Sequence, residues 1–320
     1  MVVAQIVNIV LPVFGLIAIG YGVAWSRLLD RTVGEALADF VFVIAIPMLI
    51  FRTIATADFS GAEPWRIWLP YFAALAVMWA IGDLLIRKLF GRDARAGLVG
   101  GVSASYSNTV LVGIPLIIAA YGNDGAVAIA LIVAVHMPSL MVASAILIVR
   151  AERRDGVSEP GGGARVIVRT VVVNLVTNPI IIGLVLGLLW RLIDLPYEGL
   201  PATLINRLAD VAATLALFAM GMSLRKYGMR RNIPAGIALS VVKLILMPGL
   251  VLLFARYVVP MPPVWVKVAV VAAACPTGVN AYLLASRFRT GEALASNTIS
   301  ISTAFAVAIV TLWMTVLEWL

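Results

Sequence analysis

The stretch Ser105-Tyr106-Ser107-Asn108-Thr109-Val110-Leu111-Val112-Gly113-Ile114-Pro115 sets hydroxyl and amide side chains, a glycine and a proline inside an apolar run of about 97–121. A counterpart, Cys275-Pro276-Thr277-Gly278-Val279-Asn280-Ala281-Tyr282, interrupts a second apolar run of about 264–287. Proline removes a helical hydrogen bond and clashes with the carbonyl four residues earlier, while glycine permits the backbone that results. Unwound backbone at membrane depth is tolerated only where it is buried in protein or lines a cavity. One such segment reads as a packing kink. A matched pair, each with an asparagine, reads as a site.

Composition places both runs in a membrane. Of 320 residues 62% are apolar and 12% charged, and the mean hydropathy is +1.04, against about 45–50% apolar and 25% charged in soluble domains. One core cannot hide that much apolar surface. Soluble enzymes, nucleic-acid-binding domains and single-anchor proteins are excluded, despite a net charge of +8. The lone Cys275, the lone His136 and the absence of any Cys/His cluster leave no disulfide framework and no metal site. No phosphate-binding loop of the G-x-x-x-x-G-K-S/T type occurs. No cofactor, metal or nucleic acid is expected, and the chain reads as a non-enzyme.

Working outward, the continuous apolar runs predict ten transmembrane helices over about 3–25, 34–54, 67–90, 97–121, 125–149, 166–192, 202–224, 233–257, 264–287 and 293–318. No Lys or Arg precedes Arg27, so the first segment is expected to be retained rather than cleaved. Loops after the odd segments hold seventeen Lys and Arg against six on the other side, with Lys243 inside a span. The positive-inside rule then makes the odd loops cytoplasmic and puts both termini on the outer face. The basic balance is topological and suits anionic headgroups of the lipid bilayer. The polar, Gly-rich stretch 150–165 divides the chain into five-helix halves, 1–149 and 166–320. An odd number per half inverts one against the other, the arrangement of inverted-repeat transporters, in which paired interrupted segments mark the substrate site.

These residues resemble a family. Asn108-Thr-Val-Leu-Val-Gly-Ile-Pro-Leu116, Pro276-Thr-Gly-Val-Asn-Ala-Tyr-Leu-Leu-Ala285 and Ala295-Ser-Asn-Thr-Ile-Ser-Ile-Ser-Thr303 are similar to the fourth-, ninth- and tenth-helix motifs of the auxin efflux carriers. The ten-segment layout extends the likeness over essentially the whole chain, and the short central loop is like that of bacterial members, implying a bacterial inner membrane. The resemblance implies an all-α 5+5 inverted-repeat fold of the bile-acid-symporter and sodium/proton-antiporter type. In it the broken fourth and ninth segments cross within a mobile core of segments 3–5 and 8–10. Segments 1, 2, 6 and 7 form a scaffold expected to build a homodimer. Family substrates are organic anions, such as indole acetic acid in plants and malate or malonate in bacteria. By this likeness Asn108 and Pro115 belong to the first crossing motif, and Pro276 and Asn280 to the second.

The half-helix N-termini created by each break suit a carboxylate, since their free N–H groups and positive dipole ends face it. Asn108 and Asn280 add neutral donors, with Thr109 and Thr277 beside them. Lys243, about ten residues into the eighth segment, is expected to face the interior with a partner. It either attracts the anion, takes the place of a coupling cation, or caps carbonyls freed by a break. Asp83 and Arg87 form an i,i+4 pair, a charge relay or, with more weight, a structural ion pair. His136, the lone histidine and also an intramembrane ionisable group, is a proton carrier or a neutral imidazole bound to a carbonyl. Asp39 and Asp210 read as structural, Met220 and Met222 as helix packing, and Trp313 and Trp319 as interfacial anchors. The leading function is export or uniport of small organic anions by alternating access. The alternative is an ion-coupled symporter or cation/proton antiporter on the same fold, disfavoured because the fifth segment and the two breaks hold no carboxylate.

Overall fold

A computed structural model describes residues 2–57, 63–156, 169, 172–173, 175–227 and 233–320. In chain order its elements are α1 (Val2–Trp25), α2 (Arg31–Thr56), α3 (Trp65–Leu89), α4 (Ala94–Ser105), α5 (Thr109–Asp155) and α6 (Pro179–Leu192). They continue with α7 (Gly199–Tyr227), α8 (Ile233–Tyr257), α9 (Pro263–Ala274), α10 (Asn280–Arg287) and α11 (Glu292–Glu318). Seven helices among the described residues are long and apolar enough to cross a bilayer, and α6 and α9 are shorter apolar helices. The chain is an all-helical, multi-pass membrane protein. A straight α5 would run about 70 Å, more than twice the hydrocarbon thickness. Gly122, at φ +59°, divides it.

The structure departs from the expected boundaries in one informative place. Residues 150–155, expected in the central loop, continue α5, which ends on the left-handed Gly156. Asp155 then accepts from the backbone N–H of Ala94 and Arg95 at 2.9 and 3.0 Å. A carboxylate from the end of α5 thus caps the start of α4, where the helix dipole favours it. Residues 157–165 of that loop, with Arg165, and also Arg230 and Arg231, lie outside the described residues.

Three of the prolines inside long helices show how the chain accommodates them. Pro47, Pro115 and Pro248 each follow a wide π-helical turn, Val41–Ala45, Thr109–Gly113 and Val242–Leu246. The residue before each proline reaches back five residues, as Ile46 N–H does to the Val41 carbonyl. The extra residue relieves the crowding behind the proline ring. Pro248 cannot donate to Leu244, and the Trp313 indole N–H supplies that carbonyl at 3.0 Å. Trp313 is therefore part of the packing, whereas Trp319 is exposed.

The helices pack in long neighbouring pairs. α1 lies along α7 and α2 along α6, while α3 packs on α4 and α8, and α11 on α8 and α9. Glycines allow the close approaches: a Cβ on Gly183 would meet the Pro47 carbonyl at 2.5 Å, and one on Gly82 the Gly100 carbonyl at 2.6 Å. In hydrocarbon, where no hydrophobic force joins apolar helices, such backbone proximity supplies the van der Waals contact. Arg52 binds Asp210 at 2.7 Å, tying α2 to α7.

Candidate functional site

The two interrupted segments meet at their breaks. Between α4 and α5 the chain is extended at Tyr106-Ser107-Asn108; between α9 and α10 it is extended at Cys275-Pro276-Thr277. Ser107 and Thr277 form an isolated antiparallel bridge. Asn108 N–H donates to the Pro276 carbonyl at 2.8 Å, and Gly278 N–H to the Tyr106 carbonyl at 2.9 Å. Each bond joins the residue after one bridge partner to the residue before the other, so the pair is locally two-fold. Gly278 fits the close approach, since a Cβ there would lie 3.1 Å from the Ser107 carbonyl and crowd it.

Breaking a helix orphans its last carbonyls, and none of this depth can be left to water. Ser103, which Ser107 would serve in a continuous helix, accepts from Thr277 Oγ1 at 2.7 Å. Ala273, which Thr277 would serve, accepts from Lys243 Nζ at 2.5 Å, because Thr277 N–H goes to Ser302 Oγ at 3.0 Å. Lys243 also donates to Ser107 Oγ at 2.9 Å and is fully buried. His136 Nε2 lies 3.3 Å from the Ser107 carbonyl, which as an acceptor assigns the proton to Nε2. Its Nδ1 is buried with no partner among the described residues.

A cavity of about 510 Å³ reaches this crossing from one end of the molecule. Ser107, Asn108, Thr109 and Asn280 line its buried end, and Arg31, Glu35 and Lys226 its exposed end. Glu35 binds both cations, at 3.0 Å to Arg31 and 3.5 Å to Lys226. The walls come from α2, α6 and α7 together with the α4–α5 and α9–α10 breaks. At the buried end the N–H groups of Thr109, Val110, Val279 and Asn280 have no protein partner among the described residues. Asn108 Oδ1 accepts from Leu111 N–H at 3.2 Å, which turns its Nδ2 onto Met220 Sδ at 3.2 Å. Asn280 Nδ2 likewise rests on Met137 Sδ at 3.1 Å.

The sequence candidates therefore divide. Asn108, Thr109 and Asn280 line the cavity, whereas Lys243, Thr277 and Pro276 stand behind it in the crossing. Pro115 is buried within α5 beyond the wide turn, and the break lies at 106–108 instead. Asp83 pairs with Arg87 at 2.9 Å outside the cavity. Asp39 lines the cavity, and Asp210 lies in α7, where Arg52 binds it. Met220 and Met222 are more than packing, since one holds the Asn108 amide and the other lines the wall. Ser107 is the group that sequence reading passed over, although it joins Lys243, His136 and the cavity. Its signal was its place beside Asn108 in the polar run. Asn178, whose side chain caps α6 through Ile180 N–H at 2.9 Å, also lines the cavity and had no distinct signal.

Comparison with known proteins supplies the context. Residues 5–314 match the family described as membrane transport protein. A protein of Rhizobium meliloti named "Putative malonate transporter" is 30% identical over 321 residues, covering 96% of this chain and 94% of that protein. A protein of Methanothermobacter thermautotrophicus named "Uncharacterized transporter" is 25% identical over 314 residues, covering 96% and 97%. Both relatives are named as transporters. With the family matched along nearly its whole length, this chain is a member of the membrane transport protein family, that of the auxin efflux carriers.

Proposed function

We propose that this protein is a secondary transporter of small organic anions, with dicarboxylates such as malonate foremost. The observation that carries the reading is the pair of asparagine amides resting on thioether sulfurs at the buried end of the cavity. Thioether sulfur is a weak acceptor. A carboxylate would replace it with a charge-assisted bond of roughly twice the strength of a neutral one. Unpartnered N–H groups at the starts of α5 and α10 add further donors among the described residues, and the two breaks that carry them, 105–115 and 275–282, hold no carboxylate. Lys243 holds positive charge one hydrogen bond behind, through Ser107. The relative named for malonate agrees in substrate class.

Transport proceeds by alternating access. The core, α3–α5 with α8–α11, moves against a scaffold of α1, α2, α6 and α7, and the cavity lies on the seam between them. The two halves, 1–149 and 166–320, are inverted repeats, a reading supported by the two-fold symmetry of the Ser107–Thr277 bridge. With basic loops in the cytoplasm and both termini outside, the cavity faces inward from a bacterial inner membrane. The scaffold pairs with a second copy. Outward movement of an anion is driven by the inside-negative potential and needs no coupling cation.

The test is counterflow of labelled malonate in proteoliposomes, preceded by a thermal-shift panel of mono- and dicarboxylates. Saturable exchange competed by dicarboxylates supports the proposal. Stabilisation by cations alone, or flux without saturation or counterflow, overturns it in favour of an antiporter or a channel.

A further inference from the structure

On the side of α4 away from the cavity, a groove of about 570 Å³ runs between α3 and α5. Its long walls are apolar, with Ala76, Trp79 and Ala80 from α3 and Ala143 and Leu147 from α5. Ala80 is exposed, so the groove opens sideways at hydrocarbon depth. One end is cationic: Arg87, Arg150 and Arg154 line it, with Asp83 as the one acidic wall residue. Asp83 is engaged with Arg87, and among the described residues neither Arg150 nor Arg154 has an ion-pair partner. The other end is Tyr106, whose hydroxyl lies 3.2 Å from Ser139 Oγ.

Length matches one class of occupant. From Ser139 to Arg154 is fifteen residues of α5, about 22 Å at 1.5 Å per residue. Half a bilayer including its headgroup layer is about 20–22 Å. An apolar slot of one-leaflet length, open to lipid and closed by unneutralised arginines where headgroups sit, complements a single phospholipid. Arginine clusters bind phosphate through paired N–H donors.

We propose that this groove is a binding site for an anionic phospholipid, its acyl chain along Ala80 and Leu147 and its phosphate among Arg87, Arg150 and Arg154. The occupant touches Tyr106, the residue next to Ser107, and so contacts the crossing from the face opposite the cavity. This inference does not depend on what the cavity carries.

The test uses the purified full chain, stripped of lipid in detergent and then titrated with dioleoyl-phosphatidylglycerol or dioleoyl-phosphatidylcholine, followed by thermal unfolding and native mass spectrometry. Phosphatidylglycerol is expected to stabilise and remain bound, phosphatidylcholine to do so at least about tenfold more weakly, and inorganic phosphate to have no effect. The double variant Arg150→Gln/Arg154→Gln is expected to lose that preference by roughly tenfold or more, whereas Arg153→Gln, exposed on α5 but outside the groove, keeps it. Ala80→Phe, which fills the slot and leaves the charges, is expected to lose retained lipid as well. Equal effects of the two lipids, a preference that survives the double variant, or equal stabilisation by phosphate alone overturns the proposal. So does an Ala80→Phe phenotype confined to association of two copies.

Discussion

Lys243 Nζ stands 2.9 Å from Ser107 Oγ, and Ser107 is the residue through which the buried ammonium meets the cavity wall. A lysine at the bilayer centre costs roughly 2.5–3.5 kcal/mol on insertion scales. Here the charge is partnered by the hydroxyl and by the Ala273 carbonyl that the break sets free. One ammonium thus completes the capping of α9 and polarises a side chain that a carboxylate would meet.

Replacing Lys243 separates those two roles. Lys243→Met removes a buried charge together with its desolvation cost, so the variant is expected to fold. Its affinity for malonate, read by thermal-shift titration, is expected to fall about tenfold or more, with counterflow falling alongside. Unchanged affinity in folded Lys243→Met would leave carbonyl capping as its whole contribution.

The asparagine amides and their sulfur partners make opposite predictions. Asn108→Ala and Asn280→Ala each remove a donor to a charged ligand, worth about 1.5–3 kcal/mol, or roughly 10- to 150-fold in affinity. Met220→Leu and Met137→Leu remove only the acceptors that compete with the substrate. They are expected to leave affinity unchanged or to raise it. Isothermal titration of the four variants distinguishes a ligand-binding role for the amides from a packing role, in which methionine and asparagine variants would behave alike.

Thr277 is expected to govern stability rather than affinity. Thr277→Val keeps the shape and deletes the Oγ1 donor, leaving the Ser103 carbonyl buried without it, a loss of about 1–3 kcal/mol. Thr277→Ser restores the donor and most of that stability. Thermal unfolding of the two variants measures the difference.

His136 is expected to act as a hydrogen-bond donor to the Ser107 carbonyl. His136→Gln keeps an N–H and should retain more transport than His136→Leu, with the pH profile of wild type. A profile that flattens in His136→Gln would instead identify the imidazole as a proton carrier.

The membrane class, the long apolar helices and both breaks were legible because their causes are local. An apolar run long enough to cross hydrocarbon must satisfy its own backbone, and Pro276 or the Ser107-Asn108-Thr109 cluster disturbs that pattern within a turn or two. That Asn108, Thr109 and Asn280 lie at those breaks was legible for the same reason. Which residue of 105–115 carries the interruption was not legible, since a wide turn two residues before Pro115 absorbs its clash without breaking the helix there. Met220 was read as helix packing because a methionine in an apolar helix looks the same whether it packs or accepts an amide.

What the sequence by itself determined is therefore where the chain spans and where each span is interrupted. Only the tertiary structure decided which interruption faces which, that Thr277 caps the end of α4 and Lys243 the end of α9, and that Ser107 joins that lysine to the cavity. Those pairings join residues 30 to 174 positions apart. Their hydrogen-bond needs are written locally, in every freed carbonyl and N–H. The partner that meets each need is set by packing, because in a medium without water it must come from whichever helix lies alongside.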